Sequence, residues 1–563
     1  MKRIKTKNLY LLLCILCTAT VSQNLAAQSS NVRKAAKSVF TLTTFKRDGT
    51  LLASTHGVFI GNNGEAVSSW KPFVGADSAV VVDANGKATN VDVMIGANEL
   101  YDVCKFKVEG NTTPIKIAQS PAKPGDKVWL LGYSIQTPDI SQMTIQKVET
   151  FMERYSYYIF AVEAPENAAD CPFVNAKGEL IGILQHASSS NDVHAIDAAF
   201  MNNMQVSKGL TVASPLLRQT AIRTQMPDNE EQALVMLMVA GEQNAKNYRK
   251  YINDFIKLFP TAVDGYAAQA RQYVNNRQFD LAAQEMEKAI RQATHKDQAH
   301  SEYAKIIYQQ QVYQPDSTFT QWSLDKALEQ ATQAYQIKPD PAYQHQIAQI
   351  IFIKGEYQRA YDLFMSLTQT PLRSGELFYE AAQSKTQLKA DRQEILALLD
   401  SAVAACPQPL TVVAAPFVLA RGIALDEAGE YRKALADYNR YDTLMLGRAD
   451  HTFYYTRYKC EVQLHRYQQA LNDIAHAALL NTQEPTYLAE MASLQLKVNR
   501  FEDAIKTADI CIEAAPNYPD IYLIKGLAQI QNNQKAEGLE TLKKAKELGD
   551  ARAQNYIDKY KSN

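Results

Sequence analysis

The chain has 563 residues, 46% hydrophobic and 21% charged, with a formal net charge of −1 at pH 7. That length is too great for one core and calls for roughly three or four domains' worth of chain. A near-zero charge without long single-sign runs excludes the electrostatic footprint of a nucleic-acid binder or of a protein drawn to an anionic membrane.

The opening MKRIKTK is basic, and NLYLLLCILCTATVS after it is apolar but short for a membrane span. QNLAAQSS then supplies small residues. Residues 1–27 are therefore expected to be a signal peptide ending at Ala27, and the mature protein to be exported: periplasmic, otherwise associated with the cell envelope, or extracellular. An N-terminal anchor helix is the other reading. Cys14 and Cys17 lack the small residue before them that a lipoprotein signal needs. No later stretch reaches about 18 uninterrupted apolar residues, so no integral membrane segment is expected after cleavage. Cleavage would leave Cys104, Cys171, Cys406, Cys460 and Cys511, widely spaced and without a CxxC. That pattern argues against a disulfide framework and a structural zinc site, and no metal or cofactor is expected.

From about Val32 to Met204 the grammar is that of strands. SVFTLTTF, GVFIG, SAVVVD, VDVMIG, KVWLLGY and ELIGIL are short β-branched or alternating runs. The turn signals GNNGE, DANGK, KPGDK and NAKGE lie among them and suit hairpin connections. Many short strands at this spacing predict an all-β barrel or sandwich.

Several stretches carry a finer likeness. His56-Gly57-Val58-Phe59-Ile60 precedes a turn and then Ser68-Ser69-Trp70-Lys71-Pro72-Phe73-Val74-Gly75-Ala76. Asp102-Val103-Cys104-Lys105-Phe106-Lys107-Val108 follows, then PGDKVWLLGYS, then ENAADCPFVNAKGELIGIL, and VHAIDAAF reads as a last strand leading into a closing helix. Residues 28–225 resemble the trypsin-like serine peptidase domain of the HtrA/Deg kind, which implies a double β-barrel. The resemblance places Lys71 where the family has its general-base histidine, Asp102 at the orienting aspartate, and Ala169 at the nucleophilic serine. Two glycines of the family's G-N-S-G-G-P turn are replaced by Asp170 and Cys171.

The chemistry of that family needs every missing part. A serine hydroxyl attacks only when a neutral imidazole takes its proton, and backbone N–H groups of the turn must face the developing oxyanion. A methyl group cannot attack, and a lysine paired with Asp102 would stay protonated. The resemblance therefore implies a pseudoprotease with a degenerate triad at Lys71, Asp102 and Ala169, and no catalytic residue is expected. Rescue by Cys171 would need a base, and Ser68 or Ser69 beside Lys71 have adjacency without geometry. His56, His186 and His194 are read as surface or packed histidines. A Cys104–Cys171 bridge is open to that pair, since both flank the implied centre; two buried thiols are the alternative.

From about Asp228 helical periodicity takes over. GEYRKALADYNRY, HRYQQALNDIAHA and NRFEDAIKTADIC share one template, with aromatics Tyr431, Tyr467 and Phe501 lying 36 and 34 residues apart. Earlier copies carry Phe279 and Tyr357, and LDKALEQATQAYQIKPD ends another at Pro339. This period resembles the tetratricopeptide repeat (TPR), with two antiparallel helices per unit. About eight units are expected over 229–563, with DARAQNYIDKYK as a capping helix. Gly422, Ala434, Ala504 and Gly526 would let paired helices approach closely. By the family pattern, inner-face binding positions would include Arg271, His345, Gln349, Tyr455 and Lys459.

The expected architecture is multidomain: an all-β trypsin-like double barrel followed by an all-α TPR solenoid. The expected function is the binding of peptides or partner proteins in the cell envelope, as a scaffold, assembly or holding factor. An active serine endopeptidase whose repeats recruit substrate is a second hypothesis, and a structural subunit of an envelope complex a third.

Overall fold

The computed structural model describes residues 30–561, apart from 136, 138, 152–153, 161–167, 186–192, 205, 211–213 and 244. The expected signal segment and His186 lie outside the described residues. Two compact units result, the first reaching Gln269 and the second beginning at Ala270.

In the first unit, β1 (Val39–Phe45), β2 (Leu51–Phe59), β3 (Glu65–Ser68), β6 (Val103–Val108), β5 (Ala88–Asn98) and β4 (Ser78–Val82) join in that order, and β4 pairs with β1 to close a barrel. A second, seven-stranded sheet runs β8 (Asp139–Thr144), β7 (Lys127–Gly132), β11 (Pro172–Val174), β12 (Leu180–Gln185), β13 (Val193–Asp197), β10 (Tyr155–Phe160) and β9 (Lys147–Phe151). β1 alternates buried and half-buried positions, and its inward Phe40 and Leu42 meet Phe59, Phe73, Met94 and Phe106 in the barrel core. Leu130, Tyr158, Phe160 and Phe173 fill the core of the second sheet. A third cluster draws Val39, Val58, Val67 and Val103 from the barrel, and Leu131, Val174, Ile183 and Ile196 from the sheet. The two β layers are thus joined by apolar burial. The anticipated turns take their geometry from Gly64, Gly86, Gly125 and Gly178, with φ of 87°, 78°, 88° and 77°, values that cost a residue with a Cβ.

The chain leaves the β layers through a segment sewn into the barrel. Gly75 N–H donates to Gln219 O (2.7 Å), Ala221 N–H to Ala76 O (2.8 Å), and Met94 N–H to Arg223 O (2.9 Å). A helical hairpin follows, α2 (Glu230–Gln243) and α3 (Ala245–Leu258), α1 being the short helix Ser30–Ala35. Met226, Met236, Leu237, Tyr251 and Phe255 form its core. Secondary structure therefore changes near residue 229, but the first compact unit continues through this hairpin.

The second unit is built of helix pairs. Five of them are α8 (Pro341–Ile353) with α9 (Tyr357–Leu367), α12 (Ala415–Glu427) with α13 (Tyr431–Met445), α14 (His451–Gln463) with α15 (Tyr467–Leu480), α16 (Pro485–Lys497) with α17 (Phe501–Ala514), and α18 (Pro519–Gln531) with α19 (Lys535–Glu547). α20 (Ala553–Lys561) packs on α19. The turn inside each pair repeats one device. Gly355, Gly429, His465, Asn499 and Asn533 all take positive φ just past the first helix. The N–H two residues past the cap then reaches back to a helix carbonyl, as in Arg466 to Glu461 (2.9 Å), Arg500 to Gln495 (2.8 Å) and Gln534 to Gln529 (2.8 Å). This is a Schellman ending, which satisfies carbonyls the helix leaves unpaired. Close approach is built in as well. A Cβ on Gly422 would stand 2.9 Å from Tyr438 Cε1, and one on Gly526 2.8 Å from Leu542 Cγ.

Candidate functional site

The positions singled out in the β half gather where barrel and sheet meet. Lys71 opens a single helical turn after β3, and its Nζ lies 3.2 Å from Asp102 Oδ2. The lysine side chain is 80% exposed, so the pair is a surface ion pair of small energetic worth. The stronger role of Asp102 is to its backbone neighbours: Oδ1 accepts the N–H groups of Trp70 (3.1 Å) and Lys71 (2.9 Å) and so pins the turn.

Ala169 offers only a methyl group. Its carbonyl oxygen lies 3.0 Å from His56 Nδ1, and because a carbonyl only accepts, that nitrogen carries the proton. Burial pushes the His56 pKa down despite this bond, which favours the neutral ring. Asp170 adopts a left-handed φ of 63° and is 9% exposed. Its Oδ2 accepts the hydroxyls of Thr55 and Ser69, the latter at 2.5 Å. Ala169 therefore joins the Lys71–Asp102 region through Asp170 and Ser69. The turn instead carries a buried carboxylate tied across 101 residues to Ser69, two residues before Lys71.

The displaced nucleophiles find no activation here. Burial pushes the Cys171 thiol up to about 12 and that of Cys104 well above its usual value, so neither is a thiolate near neutral pH. The two are free thiols in separate cores, Cys104 in the barrel and Cys171 in the sheet, and the bridge open to them does not form. Ser68 spends its hydroxyl on His56 O (2.5 Å) and Ser69 on Asp170. His194 stacks on Tyr157, with ring centroids 5.4 Å apart. Among the described residues, no group of His, Cys, Asp and Glu side chains is arranged to hold a metal ion.

Sequence reasoning missed Thr55 and His56 as members of this cluster. Both lie on β2, more than a hundred residues from Ala169 and Asp170, and no local pattern links such positions.

In the second unit, His345 and Gln349 come together on α8. Glu380 of α10 (Gly375–Gln387) accepts from Gln349 Nε2 (2.8 Å) and lies 2.5 Å from His345 Nε2. Burial lowers the His345 pKa, but the bond to Glu380 and its charge outweigh that, and the net shift is upward. His345 and Gln349 line a cavity of about 380 Å³ with Ser301, Lys305, Tyr308 and Tyr343. Arg271 is engaged elsewhere, ion-paired with Glu302. Tyr455 and Lys459 meet each other: the ammonium lies 4.9 Å from the Tyr455 ring centre, and that ring sits 5.0 Å from Tyr487. Much of the aromatic run FYYTRYK is thus consumed by packing, as Phe453, Tyr454 and Tyr458 are buried.

No protein-family model and no curated protein matches the chain. A crystal structure of the serine endoprotease from Yersinia pestis is similar at 20% identity, with a TM-score of 0.27, covering 33% of this chain and 65% of that one. The chain thus spans less than two thirds of that protein's length. A likeness at this level says nothing about chemistry, and the site stands on its own geometry.

Among the described residues, no helix is long and apolar enough to cross a membrane.

Proposed function

We propose that this chain is an exported, catalytically inactive trypsin-like domain carried on a TPR scaffold, and that it binds peptides or partner proteins in the cell envelope. The observation that carries the inactive reading is the Ala169–Asp170 turn. A methyl group stands where the resemblance requires a hydroxyl, and the next residue of the turn brings a buried carboxylate bonded to Thr55 and Ser69. A negative charge there repels the charge that acyl transfer develops. Lys71 is exposed and ion-paired with Asp102, without the imidazole the chemistry needs.

Binding is supported by the repeats. Stacked helix pairs expose first-helix side chains to a ligand, and the His345–Gln349 cavity is preformed, with a largely apolar wall that carries a few polar groups and two tyrosines. Tyr455 and Lys459 stack on each other and do not line this cavity, so the binding reading rests on the cavity at His345 and Gln349.

The mature protein would be treated with a fluorophosphonate probe beside a casein-cleavage assay. Neither labelling nor cleavage is expected; labelling at any serine would revive the peptidase. Crosslinking in the native envelope, repeated with His345→Ala/Gln349→Ala, would then identify the partner and test the cavity.

A further inference from the structure

Where the 219–225 segment enters the seam of the barrel, the surface opens into a cavity of about 1200 Å³. Arg47 reaches it from the β1–β2 hairpin, Asp77 from the start of β4, Asp92 from β5, Arg218 from the turn Leu217–Gln219, and Lys250 from α3. All belong to the first compact unit.

The charges on this wall fall into two sets. One is closed: Arg223 lies between Asp92 (2.6 Å) and Asp254 (2.5 Å), and Lys250 between Asp92 (2.9 Å) and Glu109 (2.7 Å). These groups hold α3 against the barrel, three carboxylates around two cations, and both cations are fully engaged. The other set is open. Arg47 and Arg218 are exposed, come from different elements, and have no ion-pair partner among the described residues. Two guanidinium groups thus stand on one cavity with a single lining acid outside the closed network, Asp77.

We propose that this cavity binds an acidic peptide segment, with Arg47 and Arg218 each taking a carboxylate. Guanidinium presents a planar fork that matches a carboxylate in two parallel bonds, so two separated arginines favour two carboxylates spaced along one chain. The volume exceeds the usual range of about 300–1000 Å³ for small-ligand pockets, which suits a length of chain over a single small anion. A nucleic acid would need an unbroken run of cations along its phosphates, and Asp77 and Asp92 interrupt this wall. The cavity belongs to the first compact unit and its lining includes none of Lys71, Asp102, Ala169, His345 or Gln349, so it stands or falls independently of the function proposed above.

The test is fluorescence anisotropy of a labelled oligoglutamate peptide titrated with the full-length mature protein. Saturable binding is expected at low salt, weakening as salt is added, with none for oligolysine. The Arg47→Ala/Arg218→Ala variant should lose at least about tenfold in affinity, two charge-assisted contacts being worth more than that factor. Its melting temperature should not change, because neither arginine has an ion-pair partner among the described residues. Absence of saturable binding, or equal binding by the variant, overturns the proposal. Displacement by citrate at the same carboxylate concentration overturns the peptide in favour of a small anion.

Discussion

Asp170 makes the sharpest energetic claim about the turn after Ala169. Replacing it with glycine removes a buried carboxylate that accepts hydroxyls from Thr55 and Ser69, and leaves both hydroxyls buried near the apolar seam. Hydrogen bonds to a charged group contribute about 1.5–3 kcal/mol each, so the two together are worth about 3–6 kcal/mol. Against this, glycine relieves the left-handed backbone at φ 63°, which costs an L-residue about 1–2 kcal/mol. The net expectation for Asp170→Gly is a loss of about 2–4 kcal/mol. Asp170→Asn, which keeps an acceptor and tolerates the same backbone, should lose only about 1–2 kcal/mol. The protein has three tryptophans, of which Trp70 and Trp129 lie buried in the first unit. Denaturant unfolding followed by tryptophan emission in a Trp322→Phe background therefore reads that unit alone. If Asp170→Gly unfolds within about 0.5 kcal/mol of its parent, the carboxylate is not a structural tie and the reasoning fails.

Ala169→Ser alone should restore neither fluorophosphonate labelling nor casein cleavage, because Lys71 is solvated and Asp170 still stands next in the turn; turnover by that single variant would show the site to be intact. In the second unit, burial raises the carboxyl of Glu461 to about 7, against Arg457 and Arg466 and with the Asp473 charge adding to the rise. A raised acid pKa favours folding when the group is protonated, so this contribution is full below about pH 4.5 and is lost as pH climbs to about 7, by up to about 3 kcal/mol. Glu461→Gln should remove that slope and unfold at higher denaturant than wild type above neutral pH, measured by circular dichroism across the range; an unchanged slope would clear Glu461 of the effect. A chain ending at Gln269 should melt cooperatively. One ending at Thr224 leaves the buried Arg223 without Asp254 and discards the core around Met226, and should lose about 3 kcal/mol or more; equal melting of the two would mean the Arg223 network does nothing for the β layers.

What the sequence determined by itself is whatever repeats locally. The period-two runs became β1, β2, β4, β5, β7 and β12, and Gly64, Gly86, Gly125 and Gly178 of the four turn signals took the positive φ their turns require. The repeat of about 34 residues fixed the helix pairs for the same reason: cap, aromatic and small residue recur at constant offsets, and each unit answers to its neighbours in the chain. β8 and β9 were not anticipated, since DISQMT and KVETF carry little apolar alternation and take their strand form from pairing with β7 and β10. Lys71 and Asp102, 31 residues apart in the chain, come within 3.2 Å.

Tertiary structure decided what depends on contacts between distant segments. His56 meets Ala169 across 113 residues and Ser69 meets Asp170 across 101, while Arg223 joins Asp92 and Asp254. Barrel closure, and not any local preference, sets these neighbours. Burial then alters their chemistry, lowering the His56 pKa, raising those of the two thiols and confining the Asp170 carboxylate. Residue type and spacing hold information along the chain; solvation and charge neighbourhood exist only once the chain has closed on itself.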